Sequence, residues 1–191
     1  MIFFRTAALT ALTTGFLLLP AATPLAETAH LKFAQIETGK LAAGTRVDLS
    51  ARELNAWAGD EALIYAPGAT RNIRLALTTG GAKGSVLIDF VKLHQAATHE
   101  DPGWIVRNLF SGERPVIVTA RFESRNRHAR VDVDRVEVSG VPIEGAALDF
   151  LIQNWLRPTI PDVKINEWFD LGFRVDRFTV SPVGVSVFIG K

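Results

Sequence analysis

Side chains able to do chemistry are few in this chain, and their spacing decides what they could do. The segment His94-Gln-Ala-Ala-Thr-His99-Glu100-Asp101 gathers two imidazoles and two carboxylates, the donor types a divalent cation takes. The i, i+5 spacing of His94 and His99 sets the rings on different faces of a helix, and a segment running into Pro102-Gly103 reads as a polar surface loop. Asp132 and Asp134 share a strand face at about 7 Å, a separation that paired-carboxylate hydrolysis uses. Arg121 falls opposite Asp132 in the hairpin register given below, so a salt ladder is the simpler reading. Gly80-Gly81-Ala82-Lys83-Gly84-Ser85 has the look of a phosphate loop but the wrong order: Lys83 precedes the last glycine, and a strand follows where a helix is needed. The chain also lacks a G-x-S-x-G elbow, an S-x-x-K and an H-E-x-x-H. We therefore expect no catalytic residue, metal-ligand set or cofactor, with a hydrolase as the least supported function.

Two groups of residues suit binding. Arg121, Arg125, Arg127, His128 and Arg130 crowd one hairpin end, and Arg125 and Arg127 have no acidic partner in the expected turn. Such a tip suits contact with an anionic surface of phosphate-bearing headgroups. The aromatic residues Phe150, Trp155, Trp168, Phe169 and Phe173, with Phe178, fall within one short stretch. They could line an apolar cleft between helix and sheet, holding a lipid-like ligand mainly by area burial.

The elements that must position these residues follow from period-2 runs on either side of turns. Asn72–Thr79 and Ser85–Lys92 form a hairpin around Gly80–Gly84. With Thr78 opposite Ser85, Leu77 meets Val86, Leu75 meets Ile88, Ile73 meets Phe90, and Arg74 meets Asp89. Val116–Ser124 and Ala129–Ser139 form a second around Arg125–His128. Ser124 opposite Ala129 sets Glu123 against Arg130, Arg121 against Asp132, Phe122 against Val131 and Ala120 against Val133. The apolar parity then switches from Val131 and Val133 to Val136 and Val138, which implies a bulge near Asp134 and Arg135. Arg174–Val180 and Val185–Ile189 form a third hairpin, with Phe178 and Val180 against Val187 and Val185.

Ser50-Ala-Arg-Glu53 reads as a capping box opening a helix with Leu54, Trp57 and Ala58 on one face. A second helix runs from about Ala146 to Leu156, with Leu148, Leu151, Ile152 and Trp155 at helical spacing, and stops before Pro158. Trp104–Phe110 is a weaker third helix, and Ala29–Leu41 is ambiguous. The sum is an α+β fold: a curved antiparallel sheet of about three β-hairpins packed on one or two amphipathic helices.

The whole chain of 191 residues has 21 Lys plus Arg, 20 Asp plus Glu and no Cys. Lack of Cys excludes a disulfide framework, thiolate metal sites and a cysteine nucleophile. The near-zero net charge gives no general electrostatic case for nucleic acid. Residues 1–26 carry Arg5 as their only charge, then an apolar run from Thr6 to Leu19 and the stretch Ala-Ala-Thr-Pro-Leu-Ala before Glu27. This is the layout of a signal peptide cut after Ala26, leaving 27–191 as one exported domain in the periplasm or at the cell surface. The alternative is an N-terminal membrane anchor, although the run is short against the ~20 residues a span needs. Without Arg5 the charges balance, 20 against 20.

The stretch Val47-Asp-Leu-Ser-Ala-Arg-Glu-Leu-Asn-Ala-Trp57, a strand running into a capped helix, resembles a feature of exported or membrane-tethered bacterial envelope proteins. With the hairpins and the aromatic helix, the pattern is similar to the tubular lipid-binding and AsmA-like half-barrel families. That resemblance implies lipid handling at the cell envelope and carries over no functional residue. The expectation is a non-catalytic envelope protein binding an apolar or amphipathic ligand between sheet and helix, partnered by a lipid or membrane surface. A scaffold that binds an envelope protein and no ligand is the alternative.

Overall fold

The computed structural model describes residues 24–99, 101, 103, 104, 107, 111–153 and 164–191. Within them the chain forms α1 (Pro24–Glu37), β1 (Arg46–Ser50), α2 (Ala51–Tyr65), β2 (Thr70–Thr78), β3 (Gly81–Asp89), α3 (Phe90–Thr98), β4 (Glu113–Arg125) and β5 (His128–Val138). There follow β6 (Val141–Ile143), α4 (Gly145–Leu151), β7 (Trp168–Asp170), β8 (Val175–Ser181) and β9 (Gly184–Ile189). The architecture is α+β and antiparallel, and these strands do not close into a barrel.

β1, β9 and β8 make a three-stranded sheet, and β2 to β6 run in order through a larger one, with β7 also pairing with β5. The third hairpin has the expected register, Phe178 opposite Val187 and Val180 opposite Val185. The second does as well: Ser124 faces Ala129, Phe122 faces Val131, and the register slips between Thr119 and Ala120, leaving Asp134 as the extra residue. Its ion pairs differ. The bulge brings Asp134 to Arg121, 2.8 Å away, while Arg130 reaches along its own strand to Asp132 at 2.6 Å.

The first hairpin corrects the expected register. Its loop is only Thr79-Gly80, so Thr78 faces Gly81, Leu77 faces Ala82, and Arg74 faces Ser85. Gly80, at φ +70°, lets the chain reverse in two residues. From Arg74 to Thr78 the shift of four residues is even, so each side chain there keeps its face while losing its partner, and between Arg71 and Arg74 the pairing slips by one residue. Arg74 therefore does not meet Asp89, which instead caps α3 by accepting from the Lys92 N–H at 3.1 Å.

Two more segments resolve differently from the sequence reading. The ambiguous stretch Ala29–Leu41 is helical through Glu37 as part of α1, whose Ala26 and Ala29 are fully buried. His94 lies on α3, a helix and not a loop, and His99 ends it in the left-handed conformation at φ +60°. α4 covers the described start of the expected Ala146–Leu156 helix. Of Trp104–Phe110, only Trp104 and Arg107 are described, both helical.

Apolar residues collect in two cores. One joins Ala29 and Ile36 of α1, Leu54 of α2, and Leu49, Val175, Val187 and Ile189 of the small sheet, with Leu75 and Leu77 packed against them. The other joins Phe90 and Leu93 of α3 to Val116 and Val138, with Leu151 of α4 alongside. The sheets meet where the β4–β5 ribbon crosses β8. The Ser124 hydroxyl donates to the Phe178 carbonyl at 2.6 Å and accepts from the Phe178 N–H at 2.8 Å. The Gly80 N–H donates to the Val180 carbonyl at 3.0 Å.

Candidate functional site

The start of α2 is built from the Ser50–Glu53 box. The Ser50 hydroxyl accepts from the Glu53 N–H at 3.2 Å, and the Glu53 carboxylate accepts from the Ser50 N–H at 2.6 Å. The second Glu53 oxygen accepts from Lys32 Nζ of α1 at 2.7 Å, and Lys32 also donates to the Asp48 carbonyl at 2.7 Å. Burial pushes the Glu53 carboxyl up, but Lys32 and the Ser50 donors outweigh it and hold the group below the ordinary carboxylate value. Phe33 and Trp57 pack across the two helices with centroids 4.8 Å apart and ring planes tilted by 47°.

One turn further on, Asn55 points at the edge of the large sheet. Its amide donates to the Leu75 carbonyl and its oxygen accepts from the Leu75 N–H, both at 2.6 Å. The side chain thus pairs with β2 as a neighbouring strand would, closing the middle of an edge otherwise open to strand addition. In the Val47–Trp57 stretch, Ser50, Glu53, Leu54 and Asn55 are accordingly a cap, a helix tie, a core residue and an edge clamp.

Beside this clamp an open groove of about 690 Å³ runs along β2. Leu25, Ala51, Ala56, Ile73, Leu75 and Ala76 give it apolar walls. Arg52, Arg74 and Lys83 are its charged lining, with no carboxylate among the lining residues. All three are exposed and make no ion pair among the described residues. The sequence reading missed them because it matched Arg74 to Asp89. A two-residue turn at Thr79-Gly80 would have left Arg74 and Lys83 without acids opposite.

The expected aromatic cleft is dispersed. Phe173 packs into the first core, and Phe150 lies on α4, 43% exposed. Trp168 and Phe169 lie on β7 opposite Arg130 and Ala129, and Trp155 lies outside the described residues. None of the four described residues lines the groove. The structure does bring Trp168 to the basic tip, where the Arg125 guanidinium stands 4.9 Å from the centre of its ring. Asn126 and Arg127, at φ +49° and +65°, form the turn; Arg127 is exposed and makes no ion pair among the described residues. Its backbone is held firmly, donating to Asp176 O and accepting from the Leu171 N–H, both at 2.8 Å. Arg125, Asn126, His128 and Trp168 enclose a shallow recess of about 260 Å³.

Among the described residues no three His, Asp or Glu side chains converge as a metal site. The nearest approach to a titratable cluster is His30 with Asp60 and Glu61, each at 3.9 Å, across α1 and α2. Burial raises the Glu61 carboxyl, His30 and a Trp57 hydrogen bond pull it down, and Asp60 pushes it up, leaving it above the ordinary value. Burial and the Glu61 charge raise Glu37 as well. Comparison with protein-family models, with curated proteins and with solved structures finds no match. The groove's geometry and chemistry are the grounds on which a function rests.

Proposed function

We propose that this chain is an exported, non-catalytic envelope protein that holds an apolar or amphipathic ligand between sheet and helix. The ligand lies in the groove along β2, against α2 and not against the Ala146–Leu156 helix. One observation carries this reading: Ala51, Ala56, Ile73, Leu75 and Ala76, all within residues 27–191, line one continuous groove beside a clamped strand edge. An apolar chain laid there is held by area burial, at about 25 cal/mol for each Å² removed from water. The Asn55 clamp supports it further, because occupation of the Leu75 edge by a side chain leaves the groove to a non-peptide ligand. The Arg125–Trp168 turn supports an accompanying contact with an anionic lipid surface, where an exposed cation contributes about 1 kcal/mol.

The test is native mass spectrometry and solvent extraction of the full chain purified without detergent, followed by titration with a dodecyl-chain amphiphile. Bound or acquired amphiphile that Ala56→Trp excludes, in a variant with unchanged circular dichroism, is the expected result. A protein that is empty and takes up none overturns the reading.

A further inference from the structure

Charge pairing elsewhere in the molecule is what makes the groove informative. Arg46, Arg71, Arg121, Arg130, Arg135, and Arg177 each have a carboxylate partner. Arg74 and Lys83 of the β2–β3 ribbon have no such partner among the described residues, as Arg127 has none at the β4–β5 turn. Arg74 faces Ser85 and Ala76 faces Lys83, so the two cations are diagonal neighbours on one sheet face, about 7 Å apart at Cβ, with small residues at the other two corners. Arg52 enters the same groove from α2. Like charges placed together on a sheet repel, and nothing acidic in the lining relieves them.

Resting on the groove as the ligand site, we infer that Arg52, Arg74 and Lys83 form a headgroup subsite for a phosphate monoester carried on a single alkyl chain. A carboxylate offers two oxygens and one charge. A phosphate monoester offers three terminal oxygens and a charge of about −1.5 to −2, the better complement of two guanidinium groups and an ammonium. Ala76 and Ser85 leave open the space between Arg74 and Lys83 that the head occupies, and the alkyl chain lies against Ala51 and Ala56 of α2. The proposed contacts are charge-assisted hydrogen bonds from exposed side chains, so added salt weakens them.

The experiment titrates the full chain by calorimetry with dodecyl phosphate, dodecanoate, dodecyl maltoside and inorganic phosphate. Dodecyl phosphate is expected to bind about tenfold or more tightly than the uncharged maltoside, the scale of one charged hydrogen bond. The Arg74→Ser/Lys83→Ser variant is expected to lose that preference while keeping maltoside binding. Equal binding of maltoside and dodecyl phosphate overturns the headgroup subsite and leaves the groove as an apolar site. Equal binding of dodecanoate overturns the assignment to phosphate. Inorganic phosphate binding as tightly as dodecyl phosphate overturns the alkyl chain, and binding of none of the four overturns the ligand site itself.

Discussion

Replacing Asn55 with alanine tests whether a side chain on α2 completes the edge of the large sheet. Asn55 makes three hydrogen bonds: two to Leu75 at 2.6 Å and one to the Ala51 carbonyl at 2.9 Å. The Ala51 carbonyl remains within a helix, so the loss concentrates on the Leu75 N–H and C=O, both part-buried. Leaving such a group unpaired costs about 1–3 kcal/mol, and partial access to water puts each near the lower end, about 2 kcal/mol together. Alanine recovers about 0.5 kcal/mol as the better helix former. The net loss of about 1.5–2 kcal/mol corresponds to a fall in Tm of about 3–8 °C for a chain of this size. Asn55→Asp is the sharper control: it can still accept from the Leu75 N–H, but sets an oxygen against the Leu75 carbonyl, and should lose at least as much. Urea unfolding gives the stability, and hydrogen exchange at the Leu75 amide gives the local opening. An alanine variant within about 0.5 kcal/mol of the parent, with Leu75 protection unchanged, refutes the clamp.

Ser124→Ala should cost about 1–3 kcal/mol in denaturant unfolding, because one hydroxyl satisfies both main-chain groups of Phe178 at the sheet junction. Gly184→Ala should cost at least about 2 kcal/mol by the same assay, since a Cβ there runs into the Leu49 carbonyl and the Ser50 Cα of β1. For Glu61 the folded pKa is raised, so the folded state holds the proton more tightly and stability falls as pH rises through the window above about 4.3. Glu61→Gln should therefore stabilise the chain at pH 7, with the advantage shrinking toward pH 4. Glu53 has the opposite sign: its stabilisation is present above the ordinary carboxylate value and is lost as pH falls below it, so Glu53→Gln should be destabilising at pH 7 and nearly neutral at the acid end. Arg125→Ser/Arg127→Ser should weaken sedimentation with anionic vesicles several-fold at low salt and leave binding to zwitterionic vesicles unchanged.

What could be read from the sequence was what local pattern determines. The second and third hairpins have turns that admit one sensible pairing, and the parity change at Val136 located the bulge at Asp134. Ser50 and Glu53 form their capping box because both partners lie within one helical turn. The first hairpin escaped because five turn-forming residues, Gly80 to Gly84, allow several loops. The longer loop offered an attractive Arg74–Asp89 pair; the shorter keeps the same faces buried, so hydrophobic pattern could not distinguish them. The aromatic stretch escaped for another reason: closeness in sequence does not make one surface when β7, β8 and α4 diverge, and Phe173 and Phe178 go to the first core while Trp168 turns to Arg125.

The same register shift links fold to function. In the longer-loop pairing Arg74 has Asp89 opposite it, and Lys83 lies apart in the loop. In the observed one, Asp89 becomes a helix cap and Arg74 and Lys83 are left as a like-charged diagonal beside an apolar groove. A sequence that neutralises its cations at six other places can remove this repulsion with a single acidic residue at Ser85, directly opposite Arg74, and does not. Ser85→Glu is consequently the most economical joint test of register and site. If Arg74 faces Ser85, the substitution should be neutral or slightly stabilising, by about 0.2–1 kcal/mol for a cross-strand ion pair, while weakening dodecyl phosphate more than dodecyl maltoside. A destabilised protein, or one whose two amphiphiles weaken equally, would mean that the diagonal pair does not face the groove.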